Sequence, residues 1–118
     1  MVMKKDFVYL SKAESYIEQF GNKCLRAQEV AYAIGIHPSD LGRLFRRIKG
    51  ITLKKYLDQK LKTEVIRLLI ESDSMGYEIS YQIGFSSEQS FYRWIKRVFG
   101  ISFKELADLK KEPVPEVI

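Results

Sequence analysis

Residues 29–50 read EVAYAIGIHPSDLGRLFRRIKG, and residues 78–100 read EISYQIGFSSEQSFYRWIKRVFG. The two stretches are copies of one unit. Shifted by 49 residues (29 to 78), Glu29 falls on Glu78, Val30 on Ile79, Tyr32 on Tyr81 and Gly35 on Gly84. Past the glycine the shift becomes 50 (43 to 93), and Arg43 falls on Arg93, Arg46 on Lys96, Arg47 on Arg97 and Gly50 on Gly100. The second copy therefore carries one extra residue in its turn. Each copy reads as a short helix, a glycine turn and a second helix, which is the layout of a helix-turn-helix. The small residue of the first helix, Ala31 or Ser80, lets the two helices approach closely. Gly35 and Gly84 suit the left-handed backbone that reverses the chain.

Working outward, apolar residues recur at helical spacing almost throughout. Ser11-Lys12-Ala13-Glu14 has the form of a capping box and predicts a helix with Ala13, Tyr16, Ile17 and Phe20 on one stripe, ended by Gly21-Asn22. A short helix follows over about 27–34, with Val30, Ala31 and Ile34 inward. Pro38 opens the next, which buries Leu41, Leu44, Phe45 and Ile48 and stops at Gly50. The longest helix runs from about Leu53 to Glu71 behind a Thr52 cap, with Leu53, Tyr56, Leu57, Leu61, Val65, Leu68 and Leu69 along one face. After Ser72-Asp73-Ser74 come a short helix near 77–83 and a helix started at Ser86-Ser87-Glu88-Gln89. This last helix buries Phe91, Trp94, Ile95 and Val98. A final helix spans about 102–109. No strand is expected. The fold class is all-α, with about seven helices. Two helix-turn-helix subdomains, 8–50 and 73–110, are joined by a linker helix over 51–72, and 111–118 is read as a flexible tail.

The chain has 118 residues, 46% of them hydrophobic and 30% charged, with a formal net charge of +5. That allows a core and suggests, weakly, a polyanionic partner. The placement of the charge says more, because Arg43, Arg46 and Arg47, like Arg93, Lys96 and Arg97, share the face opposite the apolar stripe. A plain helical bundle with solvated basic faces would explain one such helix more readily than two matched copies. The single cysteine, Cys24, excludes an internal disulfide and fits a reducing, cytoplasmic setting. It reads as a small, half-buried loop residue. No secretory leader is expected, and no apolar run approaches the ~20 residues of a membrane span. His37, the one histidine, reads as a turn residue, and Trp94 as core. No metal site, catalytic constellation or phosphate-binding glycine loop is present in the pattern. Neither an enzyme nor a cofactor is therefore expected.

The residues Val30-Ala31, Gly35, Pro38, Leu41, Phe45, Gly50, Tyr56-Leu57, Leu68-Leu69, Glu78-Ile79, Gly84-Phe85, Phe91, Arg93, Lys96 and Gly100 carry a resemblance to the DNA-binding domain of the AraC/XylS family. The likeness covers about 13–109. With no room for an effector-binding domain in 118 residues, the chain resembles the small single-domain MarA/SoxS type. Departures fall at Arg26 and His37, where the family usually has a Ser or Thr, at Phe103 for Pro, at Ala107 for Arg, and at Leu61-Lys62.

The resemblance implies a bacterial transcription regulator, an activator, with double-stranded DNA as partner and RNA polymerase as a further one. It implies base contacts from Ser39, Gly42 and Arg43. The matching face of the second copy holds Glu88, Gln89, Tyr92 and Arg93, where Gln89 suits adenine and Arg93 suits guanine. Arg46, Arg47, Lys96 and Arg97 suit phosphates. Asp40 and Glu88 are read as acids complementing a helix dipole in preference to cytosine readers. A linker of about twenty residues would span roughly 30 Å, close to a turn of DNA at roughly 34 Å. Two rivals share these residues. One is a non-specific architectural DNA binder, and the other a protein-interaction module on the same fold.

Overall fold

The computed structural model describes residues 3–111. Seven helices make up these residues, and no strand occurs among them: α1 Lys4–Phe20, α2 Ala27–Ile34, α3 Pro38–Lys49, α4 Leu53–Glu71, α5 Gly76–Gln82, α6 Glu88–Phe99 and α7 Phe103–Leu109. All but Lys111 of the expected tail lies outside the described residues. The chain divides into two compact units, with the division between Thr63 and Glu64, inside α4. Among the described residues no helix is long and apolar enough to cross a membrane, and no group of His, Cys, Asp or Glu could hold a metal ion.

In the first unit, Leu10, Ala13 and Ile17 of α1 pack with Val30 and Ala31 of α2, Leu41 and Phe45 of α3, and Leu53 and Leu57 of α4. Burying each of the larger side chains, Leu, Ile, Val and Phe, contributes roughly 1.5–3 kcal/mol. Ion pairs on its surface join the same helices, Glu14 to Lys49 at 3.2 Å and Glu18 to Lys60 at 2.8 Å. At about 0–1 kcal/mol apiece such pairs trim orientation and do not supply the stability. The Lys60 ammonium, by donating a hydrogen bond, holds the Glu18 carboxyl below its ordinary value.

In the second unit Val65, Ile79, Ile83, Phe91 and Ile95 are fully buried. An aromatic cluster fills it: the Phe91 ring centroid stands 5.5 Å from Phe85, 6.5 Å from Trp94 and 5.6 Å from Phe103. Phe103, at a position where the resembled family has proline, is thus a packing residue. The exposed side of α4 is clipped by Arg67, which donates to Glu64 at 2.5 and 3.1 Å and to Glu71 at 2.7 Å. At the end of α7, Lys110 Nζ donates to the Ser72 carbonyl at 2.7 Å and sits 3.2 Å from Asp73.

Four expectations need correction. The helix predicted to start at Ser11 starts two turns earlier, at Lys4. Nothing in 4–10 breaks a helix, and Asp6 supplies the cap by accepting the Met3 N–H at 2.8 Å. Ser11 is therefore an exposed mid-helix residue. Phe20, at the frayed end of its stripe, is 42% exposed. Ile34, Ile48, Tyr56 and Val98 are half-buried at the rims of the cores. Cys24 is exposed in the loop after α1. Its thiol is nonetheless pushed up, first by local desolvation and then by the Glu29 carboxylate, which leaves less thiolate for reaction.

Candidate nucleic-acid interface

The sequence repeat is a repeat of backbone geometry. In the first copy Ile36 N donates to the Ala31 carbonyl at 3.1 Å and Gly35 N to Tyr32 at 3.3 Å. In the second, Phe85 N donates to Ser80 at 3.1 Å and Gly84 N to Tyr81 at 3.1 Å. These paired bonds form a Schellman motif, which needs a left-handed residue after the helix. Gly35 at φ 77° and Gly84 at φ 84° supply it. The spacing residues, Ala31 and Ser80, are 0% and 3% exposed. The expected close helix contact therefore exists in both copies.

Each second helix is started and stopped alike. His37 Nδ1 accepts the Ser39 N–H at 3.1 Å at the head of α3, and Ser87 Oγ accepts the Ser90 N–H at 3.0 Å at the head of α6. Histidine thus does the capping work of the usual hydroxyl. At the far ends Gly50 N bonds to Arg46 at 2.9 Å and Gly100 N to Lys96 at 3.0 Å. The third element of each copy is capped in register too. Thr52 Oγ1 accepts from Lys55 N at 3.1 Å, and Ser102 Oγ from Glu105 N at 3.2 Å.

With the ends fixed, the faces follow. Leu41, Leu44 and Phe45 of α3 and Phe91, Trp94 and Ile95 of α6 are buried. Ser39, Arg43, Arg46 and Arg47 are exposed on α3, and Glu88, Gln89, Arg93, Lys96 and Arg97 on α6. Gly42 is half-buried, and so is Tyr92 at the matching position. Each unit therefore presents its own set of the expected side chains on one helix.

Local partners refine this. Arg43 is paired with Asp40, one turn earlier on α3. On α6 the Tyr92 hydroxyl donates to Glu88 at 2.6 Å. Both acids stand in first turns, as expected, but each is also engaged by a neighbour on its own helix. The spacings i,i+3 and i,i+4 could have signalled this. Tyr92 also leans on Phe103, with ring centroids 5.7 Å apart, and on the start of α5. A Cβ on Gly76 would stand 2.5 Å from the Tyr92 hydroxyl and 3.0 Å from Phe103 Cε1, so a larger residue there would have to displace the Tyr92 ring.

The bond to Glu88, with burial second, pushes the Tyr92 phenol up to about 12. The raised value means that the contact is intact below the ordinary phenol range near 10 and is lost as pH rises through the raised one. Glu88→Gln should therefore lower the Tyr92 titration toward 10, read from ring resonances of labelled tyrosine. An unchanged midpoint would show that Glu88 does not hold the hydroxyl.

Comparison with known proteins accords with this geometry. A family model described as a helix-turn-helix domain matches residues 30–108, from α2 into α7. The chain belongs to the AraC-type helix-turn-helix family. That family consists of DNA-binding domains of transcription regulators and not of enzymes. The xylose operon regulatory protein of Escherichia coli K12 is 29% identical over 101 residues, which are 86% of this chain and 26% of that protein. The chain thus spans about a quarter of the length of that regulator. An AraC-type transcriptional regulator from Chromobacterium violaceum shares the fold with a TM-score of 0.72 at 24% identity, over 95% of this chain and 100% of that one. The DNA-binding domain of the global transcriptional factor AdpA, solved in complex with a target DNA, has a TM-score of 0.73 at 19% identity, over 86% and 92%.

Proposed function

We propose that this chain is a sequence-specific regulator, an activator, that sets α3 and α6 into successive major grooves of one double-stranded DNA site. The observation that carries the reading is the matched pair of recognition helices. Each has the same apolar seat, the same stop and cations at the same places. Base edges are read by Ser39, Gly42 and Arg43 from α3 and by Glu88, Gln89, Tyr92 and Arg93 from α6. Arg46, Arg47, Lys96 and Arg97 meet phosphates. Subdomains 8–50 and 73–110 act through the linker 51–72. RNA polymerase is the further partner of the bound activator. The DNA complex of AdpA supports DNA as the ligand of this fold.

The helix α4 has 19 residues, about 28 Å at 1.5 Å per residue, which suits grooves one turn apart. Since the two reading faces differ in sequence, the preferred site is asymmetric and is occupied by one chain. Selection from random DNA followed by footprinting tests this. The expected result is an asymmetric site of about two turns, roughly 20 bp. A one-turn footprint or a palindrome holding two chains would overturn two-groove binding. Enrichment of no sequence at all would favour the architectural reading, in which salt-dependent phosphate contacts supply the affinity.

A further inference from the structure

The repeat runs past each recognition helix into the helix that follows it. With the shift of 50, Thr52 falls on Ser102 and Lys54 on Lys104. The hydroxyls are the caps described above. The two lysines are exposed in the first turns of α4 and α7, where the positive end of the helix dipole disfavours a cation. Neither forms an ion pair among the described residues. In the second unit Lys104 lines a groove of about 470 Å³ between α6 and the start of α7, with Tyr92, Arg93, Lys96, Ser102 and Phe103. No carboxylate lines it. Its two hydroxyls are spent, Tyr92 donating to Glu88 at 2.6 Å and Ser102 to Glu105 at 3.0 Å. Arg93, Lys96 and Lys104 form no ion pair among the described residues, with those two acids or any other. The Glu105 carboxyl is held below its ordinary value first by the bonds from Ser102 and only last by the charge of Lys96. The free polar groups of the groove are therefore two ammonium groups and a guanidinium.

We infer that this groove seats a DNA backbone phosphate, with Lys104 of α7 joining Lys96 of α6 as its cations. The inference rests on the DNA-binding reading and extends it to a helix outside the helix-turn-helix. The occupant follows from what the groove has left to offer. A neutral polar ligand would find donors but no free acceptor, and a cation would be repelled. An anion relieves the mutual repulsion of three like charges. The Tyr92 and Phe103 rings, 5.7 Å apart, keep water off one side, which strengthens that attraction. The anion belongs to DNA because Arg93 and Lys96 stand on the reading helix, so a strand read by α6 passes the groove. The contact is independent of sequence, since a phosphate carries no base information. It also gives the lysine in the first turn of α7 the partner that its own helix denies it.

The experiment uses the whole chain, binding its selected site and scrambled DNA across a salt series. Lys104→Gln should weaken both DNAs alike, on the order of fivefold at 0.15 M salt, and lower the slope of log affinity against log salt by about one. Lys104→Arg keeps the charge and should keep the slope. Lys12→Gln removes the same charge from an exposed position on α1 and should leave the slope as it was. Circular dichroism of Lys104→Gln should match the parent, since loss of a cation from a helix start does not weaken the helix. Neutral methylphosphonates placed singly along the selected site locate the contact. One position should weaken the parent and leave Lys104→Gln unaffected. An unchanged slope for Lys104→Gln, an equal fall for Lys12→Gln, or no such position overturns the seat while leaving DNA binding standing. Resonance shifts at Lys104 with inorganic phosphate, beside an unchanged DNA slope, would mark a free-anion site and overturn it too. Failure of the parent chain to shift any DNA overturns both readings, and it is recognised before any variant is made.

Discussion

Val65→Pro is expected to abolish binding to the full site while leaving contacts to half-site DNA in any folded fraction. Val65 is fully buried and lies in α4, two residues beyond the division between the units. A proline there removes an i to i−4 hydrogen bond and its ring meets the carbonyl four residues back, Leu61. The cost is about 3 kcal/mol or more, and loss of packed methyl groups adds to it. The helix should kink at that turn. If α4 is the spacer that matches two grooves, even a modest bend moves one reading face off register with the other. Circular dichroism would follow the fold, and mobility shifts on full and half sites the binding. Val65→Ala is the companion variant. It empties part of the same core position but keeps the helix bond, so it should lose stability and keep full-site binding in the folded fraction. A folded Val65→Pro protein that binds the full site as the parent does would remove the rigid spacer from the mechanism.

Much of this was legible in the sequence because the relevant physics is local. Gly35 and Gly84 marked the turns since a left-handed residue is needed after a helix that reverses so tightly, and both take it. The buried faces of α3, α4 and α6 followed from residues three and four apart. What escaped was set by neighbours outside the pattern. The Ser11 capping box was a plausible start overridden by a better one, because Asp6 can cap Met3 and the intervening residues are compatible with helix. Lys5 and Tyr9 then line one groove with Arg43 and Arg47 only through packing of α1 on α3, which no spacing in the sequence encodes. Tyr92 looked like an open reader by analogy with Gly42. Its half-burial depends on Gly76 and Phe103, 16 residues before it and 11 after it. Asp40 and Glu88 show the opposite case. Their partners lie one helical turn away, so a reading that stopped at the helix dipole missed a local signal.

Arg93→Ala and Arg97→Ala should separate reading from positioning. Both side chains are exposed on α6, and they are four residues apart, so they lie one turn from each other along the same face. Arg93 is the cleaner probe of its pair. Its counterpart Arg43 is held by Asp40, so replacing Arg43 also frees a carboxylate beside the DNA. Ser90 stands where Asp40 does, and no acid of that spacing is released when Arg93 is removed. If Arg93 makes paired bonds to guanine O6 and N7, its loss should cost about 1 to 3 kcal/mol on the selected site, roughly 5- to 150-fold. Preference should relax at one or two base pairs, and scrambled DNA should lose little. Arg97→Ala should instead weaken selected and scrambled DNA alike and lower the salt slope by about one. The contrast matters more than either magnitude, since net charge falls by one in both variants. Equal losses on both DNAs for Arg93→Ala would refute direct readout by α6 and favour the architectural binder. No loss for either variant would leave α6 outside the interface, and the matched cations of the repeat would then be solvated charge.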